Sequence, residues 1–241
     1  MSQQIIGLAP GTSPSLNPWL EEDAPHKAGA LARSWAQERY NQAVQDIFGF
    51  HALQLGASSL QTLVQSRIAH RWVAAGISSD TRASLFANAS ALPFFESTLD
   101  LVTLPFTLDM HSDPDAVLDE VARVLVPEGR AVFTGFKKMS LWGVSHMLGS
   151  KRLPERTQIY GIQRLKASLA ELGLVIDSVE QGQWPSHDGL YFLVARKRIM
   201  GVRPIRRKAW RLPKLADLPL NPFPNPNPRG LGKQKGGKKS S

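Results

Sequence analysis

Four short groups of residues in this 241-residue chain have the type and spacing to touch a ligand. Gly56-Ala57-Ser58-Ser59 follows the stretch Leu53-Gln54-Leu55, and small residues at a strand end let backbone amides approach a bound molecule closely. Asn88-Ala89 stands just ahead of Leu92-Pro93-Phe94 and offers an amide oxygen as acceptor beside a backbone N–H donor. Phe106-Thr107-Leu108 follows the apolar run Leu101-Val102-Thr103-Leu104. His111 lies just beyond it, the side-chain type whose ordinary titration falls near neutrality. Each group has an ordinary structural alternative: Gly56 as a turn glycine, Asn88 as a turn asparagine, His111 as a structural histidine before a helix cap.

Periodicity indicates the elements that must hold these groups. Residues 23–48 read as a helix, with Leu31, Trp35, Tyr40, Val44, Ile47 and Phe48 on one rough stripe. Residues 49–56 read as a turn and a strand closed by Gly56. A helix is expected over 58–65 and further strands over 68–74 and 84–87. Residues 100–104 form a buried strand behind the turn-like Glu96-Ser97-Thr98. Asp113 suits a helix N-cap, Pro114 the first helical position and Asp115 the first turn. Val117, Leu118, Val121, Val124 and Leu125 then make one apolar helical face. Pro127-Glu128-Gly129 ends that helix, and Ala131-Val132-Phe133 opens the next strand. An insertion over 140–153, a helix over 158–172 closed by Gly173, and strands over 175–180 and 190–196 complete the chain. Strand–helix–strand alternation of this kind gives an α/β fold with a parallel sheet.

Charge is unevenly spread. Residues 196–241 hold 14 Lys and Arg against the single acid Asp217, so residues 1–195 carry 15 basic and 19 acidic side chains. The expected organisation is a flexible segment over 1–22, a folded domain over 23–198 and a disordered basic Pro/Gly-rich tail over 199–241. In that tail Arg203, Arg206, Arg207, Lys208 and Arg211 surround Trp210. Such a tail can track phosphates of RNA, lie on an anionic membrane surface, or remain a solvated polycation. Cysteine is absent, which excludes disulfides and thiolate metal sites, and no metal site is expected. No run approaches the roughly 20 apolar residues of a membrane span, and the N-terminus lacks the pattern of a secretory signal. A cytoplasmic location is the expectation.

The ordered block from Asn88 to Phe136 has Leu92-Pro93-Phe94, an acidic turn, an Asp100-Leu101-Val102 strand and EVARVLVPEGRAVF at 120–133. It resembles the second half of the cofactor domain of class I S-adenosylmethionine (SAM)-dependent methyltransferases of the type 11 kind. GFKKMSLWG at 135–143 is similar to the continuation found in a poorly characterised bacterial subfamily. The resemblance covers about residues 25–198. It implies a Rossmann-like three-layer sandwich with a mostly parallel seven-stranded sheet, SAM as cofactor and methyl transfer to an unidentified acceptor. It places Gln54, Gly56 and Ala57 against the methionine and ribose end of the cofactor. It places Asn88 and Ala89 against adenine and Phe106 toward the methyl group. His111 is a weak catalytic candidate. Trp142, His146 and Met147 would form a lid or wall.

The chain departs from that pattern in two places. Of the family's glycine-rich loop only Gly56 remains, with Gln54 where an acid is usual. No acidic residue occurs between Asp46 and Asp80, so the carboxylate that clamps the ribose hydroxyls is missing near Arg71-Trp72. Two readings follow: a working methyltransferase, or a methyltransferase-like scaffold that has lost catalysis and binds RNA or an anionic surface through its tail. A dinucleotide-dependent oxidoreductase is disfavoured, because it would need the same glycines and acid and would leave the Leu-Pro-Phe block unexplained.

Overall fold

A computed structural model of the chain describes residues 16–21, 27–76, 80–148, 153–154, 157–183 and 187–198. The tail expected over 199–241 lies outside the described residues, as do residues 1–15 of the N-terminal segment. The described elements are α1 (Asn17–Leu20), α2 (Lys27–Gln45), β1 (His51–Leu55), β2 (His70–Ala75), β3 (Leu85–Phe86), β4 (Leu99–Pro105), α3 (Thr107–Met110), α4 (Pro114–Val124), β5 (Leu125–Phe136), α5 (Leu141–Met147), α6 (Ile162–Glu171), β6 (Leu174–Gln181) and β7 (Leu190–Lys197).

The strands form one seven-stranded sheet in the order β3-β2-β1-β4-β5-β7-β6. Strands β1 to β5 pair in parallel, and β7 runs antiparallel to both β5 and β6. After β1 the chain winds outward through β2 and β3, then returns to the other side of β1 as β4. That reversal opens a crevice beyond the carboxyl ends of β1 and β4, the place where open α/β sheets bind ligands.

Side chains alternate across the sheet, as strand geometry requires. Ala52, Leu101, Val132 and Phe192 point to a core shared with Leu20, Trp35, Tyr40 and Val44 of α1 and α2. Leu53, Val102, Phe133 and Leu193 point the other way, onto Val117 and Val121 of α4 and Leu165 and Leu169 of α6. The result is three layers. In α2 the buried stripe runs through Ala32, Trp35, Ala36, Tyr40 and Val44, while Leu31 and Phe48 are exposed. The buried stripe thus runs through Ala32 and Ala36 in place of the expected Leu31, and Phe48 lies beyond the end of α2.

Local signals explain α4 well. Asp113 accepts from Ala116 N at 3.1 Å, a cap of about 1 kcal/mol. The helix stops at Val124, and β5 begins directly at Leu125. Strand β5 absorbs Pro127-Glu128-Gly129, which the sequence presents as a turn. Glu128 takes a left-handed φ of 66°, and the pairing with β4 shifts register between Leu99 and Leu101.

The helix expected over 58–65 is absent; that stretch is a chain of turns. Its backbone groups are taken by side chains instead. Gln54 Nε2 donates to Ala57 O and Leu60 O at 3.0 and 2.7 Å, and Gln54 Oε1 accepts from Thr62 N at 3.1 Å. Gln37 on α2 both accepts from Gln61 N and donates to Gln61 O. Groups bonded in this way are not left for an i→i+4 ladder. The N-terminal segment expected to be loose is packed over 16–21, where Leu16 and Leu20 are buried. Among the described residues, no helix is long and apolar enough to cross a membrane.

Candidate functional site

The crevice at the β1/β4 reversal is built from the turn after β1. Gly56 adopts φ +71° and donates to Ala74 O at the end of β2 at 2.8 Å. A Cβ added there would meet nothing closer than Thr107 Oγ1, at 3.5 Å, so backbone conformation rather than space calls for glycine. Ala57 follows with φ +40°. Two successive residues with positive φ, one of them not glycine, hold the turn in a conformation that is found more often at ligand sites than elsewhere. From the other side, Thr107 Oγ1 donates to Leu55 O at 2.5 Å and ties the end of β4 to the end of β1.

Gln54 does not face the crevice. It is 1% exposed, and its amide is engaged with Gly56 O, Ala57 O, Leu60 O, Thr62 N and Thr62 Oγ1. Expected as a residue toward the cofactor's amino group, it holds the turn from behind. A carboxylate could accept from Thr62 but could donate to none of the three carbonyls.

The turn carries a polar cluster that no local pattern foretells. Asp80, from the loop after β2, accepts from Ser58 Oγ at 2.5 Å and from Asn17 Nδ2 at 2.8 Å, both through Oδ2. Its Oδ1 accepts from Arg82 N at 3.1 Å. Asn17, on α1, also donates to Ser58 Oγ at 2.7 Å and accepts from Ser59 N at 3.0 Å. A carboxylate therefore does reach the turn, carried by the loop after β2; Arg71, expected near that place, is the second residue of β2 and lies toward the strand's other end, where it donates to Leu63 O.

Phe106 closes β4 with φ +56° and no exposure. It stacks on Phe136 at the end of β5, with ring centroids 5.0 Å apart. Trp19 on α1 meets both rings edge-on, at 6.4 and 5.7 Å. The carboxyl ends of β4 and β5 thus carry an aromatic wall capped by α1.

Asn88 and His111 are brought together at a second point. His111 Nε2 lies 3.2 Å from Asn88 Oδ1, and that oxygen also accepts from Ser90 N and Ser90 Oγ. Because Asn88 Oδ1 only accepts, the imidazole proton sits on Nε2 and Nδ1 accepts from Asp113 N at 3.1 Å. Burial lowers the His111 pKa from its ordinary value, partly opposed by Asp113, so the ring is neutral at pH 7 with both nitrogens engaged. Ala89 is half-buried beside this pair. Among the described residues, no hydrogen bond joins the Asn88–His111 pair to the Gly56 turn.

Asp109 is the acid that sequence reasoning missed on α3. It is fully buried and accepts from Phe136 N at 2.9 Å and Tyr160 N at 2.8 Å. Burial raises its pKa to about 7 against the lowering effect of those two donors. Trp142 is buried and Met147 exposed; the His146 side chain is outside the described residues. No cluster of three or more potential metal ligands occurs among the described residues.

A sheet of this order, with a left-handed glycine turn at its reversal, has the architecture of the class I methyltransferases. Residues 49–133 match the family model described as a methyltransferase domain. That match covers about a third of the chain, and the fold of the described residues is that of the class I SAM-dependent methyltransferases. It is 24% identical over 188 residues to the uncharacterized protein YafS of Escherichia coli, covering 70% of this chain and 78% of that one. It is 44% identical over 52 residues to the E. coli ubiquinone/menaquinone biosynthesis C-methyltransferase UbiE, a match spanning 22% of this chain and only 21% of that relative. Among solved structures it is similar to a SAM-dependent methyltransferase of Thermotoga maritima, with TM-score 0.55, 14% identity and 70% and 92% of the two chains covered. It is also similar to the [4+2]-cyclase SpnF, with TM-score 0.57, 17% identity and 80% and 88% covered. The fold therefore hosts more than one reaction.

Proposed function

We propose that this protein is a SAM-dependent methyltransferase whose cofactor lies across the Gly56 turn. The observation that carries this reading is the Asp80 carboxylate at the turn. Its Oδ2 accepts two hydrogen bonds, from Ser58 Oγ and Asn17 Nδ2, and two donors on a carboxylate are what a ribose diol presents. The residues fit the group: a close-approach turn at Gly56 and Ala57, an acceptor at Asp80, and, since Asn88 Oδ1 is taken by Ser90 and His111, the Asn88 Nδ2 and Ala89 N–H donors for the adenine edge.

When bound, SAM supplies an electrophilic methyl group on a sulfonium. The chain's own residues position the ligand. Gly56 and Ala57 let backbone approach the ligand, and Asp80 orients the ribose. Phe106 and Phe136 are fully buried beneath Trp19 and fix the ends of β4 and β5 that frame the turn. His111 orients Asn88 instead of acting as a base, because its lone-pair nitrogen Nδ1 is taken by Asp113 N. Positioning alone supplies a large part of the rate in such a transfer, and the acceptor brings its own nucleophilic atom.

A second reading, a binding module without catalysis, is favoured by Gln54, whose amide is spent on the turn, and by Asn17, which now holds the proposed ribose acceptor. Thermal unfolding with SAM and with S-adenosylhomocysteine tests whether the cofactor binds at all. A ligand at 100 times its Kd adds about 2.7 kcal/mol of stability, so the midpoint rises by several degrees. An unchanged midpoint up to millimolar ligand contradicts the methyltransferase reading.

A further inference from the structure

Helix α5 is clamped on one side and bare on the other. Its inner face is fixed by Trp142, which packs so closely on Gly189 that a Cβ there would lie 2.4 Å from Trp142 Cγ. Ser140 Oγ accepts from Gly143 N at 3.0 Å and donates to Lys137 O at 2.8 Å. Asp188 accepts from Leu141 N at 3.3 Å and Lys137 Nζ at 3.1 Å. The helix is therefore seated in one orientation, and the face it turns outward is set by the fold. That face is aliphatic: Met139 is 89% exposed, Leu141 50%, Val144 44%, Met147 69% and Leu148 82%. Leu141, Val144 and Leu148 follow at i, i+3 and i+7, one stripe of a helix.

The sequence that carries this stripe is basic, although Lys137 is paired with Asp188. Residues 137–153 hold Lys137, Lys138, Lys151 and Arg152 and no acid, in a stretch between Phe136 and Leu153, both buried. An aliphatic stripe in a basic segment matches the interface of a bilayer with anionic headgroups, where aliphatic chains enter and Lys or Arg meet phosphate. RNA would use the charge but has no use for five exposed aliphatic side chains, since bases stack on aromatic rings.

We infer that α5 docks this protein onto the surface of anionic lipid bilayers, inserting Met139, Leu141, Val144, Met147 and Leu148 among the headgroups. Helix α5 leaves β5 at the carboxyl end of the parallel strands, the same end as the Gly56 turn, so the docked protein turns that end of the sheet toward the bilayer. The inference stands on exposure and charge and is independent of cofactor binding.

The chain's lack of cysteine gives a direct test on the full-length protein. Leu148→Cys carrying an environment-sensitive nitrobenzoxadiazole label is mixed with vesicles of phosphatidylcholine and phosphatidylglycerol, with Ala167→Cys on the exposed face of α6 as control. The expected result is a blue shift and brightening at position 148, none at 167, and persistence of the signal in ~0.5 M salt, which screens contacts made by exposed charge alone. Val144→Asp with Leu141→Asp in the unlabelled protein should lower vesicle co-sedimentation about tenfold or more, with far-UV circular dichroism unchanged. An unshifted label at 148 with bound vesicles overturns the inference, because the tail alone would then be holding the lipid. Burial of the same label in a concentration-dependent dimer, or upon RNA and not upon vesicles, overturns it equally.

Discussion

The amide of Gln54 donates and accepts at once, and the turn over 56–62 uses both capacities. Gln54→Glu restores the residue type usual in the family but sets a carboxylate against three carbonyl oxygens. A loss of about 3 kcal/mol in urea unfolding is expected, and an unchanged midpoint would show that the turn does not depend on this amide. Asp109 gives a pH dependence of definite sign. Its folded pKa is raised to about 7, above the ordinary carboxylate range. Between about pH 4 and 7 the unfolded chain ionises this group before the folded one does. Its contribution to stability is therefore full at acid pH and is lost as pH rises toward 7, by on the order of 4 kcal/mol. Asp115, Glu120 and Asp188 have lowered pKa values, chiefly from hydrogen bonds to Tyr160, Arg123 and Lys137 respectively, and act in the opposite sense below that window. The stability difference between wild type and Asp109→Asn, followed by urea unfolding across about pH 4.5–7.5, should fall with pH; a flat difference contradicts the assignment. At this scale Gly56 and Asn88 were legible because their signals are local: a small residue at a strand end, an amide before a turn. Asp80 and Asn17 were not, since their contacts with Ser58 cross 22 and 41 residues of sequence.

The helix α1 does the work of a cover at the scale of elements. Asn17 bonds the Gly56 turn and Trp19 meets the Phe106–Phe136 wall. It lies so close to α2 that a Cβ on Gly29 would stand 1.7 Å from Trp19 O. Gly29→Ala should lift α1, moving Trp19 toward water. The expected result is red-shifted tryptophan emission and a stability loss of about 1–3 kcal/mol, partly offset by alanine's helix preference of about 1 kcal/mol. Unaltered emission and stability would show that α1 does not depend on this close approach. Nothing in 1–22 announces the packing, because a four-residue helix has too few positions to display a period. The same lesson holds in reverse at 58–65, where a helical pattern lost to side chains of Gln54, Gln37 and Asn17 arriving from elsewhere. Helix α4 succeeded in sequence because cap, proline and apolar stripe all lie within its own span. Strand β5 ran longer than expected because Glu128 adopts a left-handed conformation that lets the chain pair on both sides of Pro127-Glu128-Gly129.

For the whole molecule, strand–helix alternation and the block from Asn88 to Phe136 carried the fold, since they encode the sheet and the helices packed on it. They carry little of the candidate site, which is assembled by the pieces between: α1, the turn over 56–62 and the loop bearing Asp80. The likeness to a [4+2]-cyclase as well as to methyltransferases makes cofactor binding the claim on which the functional reading rests. Asn17 and a ribose diol compete for Asp80, so Asn17→Ala should tighten nucleoside binding while Asp80→Ala weakens it. The most direct measurement is calorimetric titration of S-adenosylhomocysteine into the wild-type protein and into Asp80→Ala. The account predicts saturable binding to the wild type and an affinity at least about tenfold lower in the variant, the loss of one charged hydrogen-bonding group. No heat from the wild type up to millimolar ligand, or the same affinity in both proteins, would contradict it.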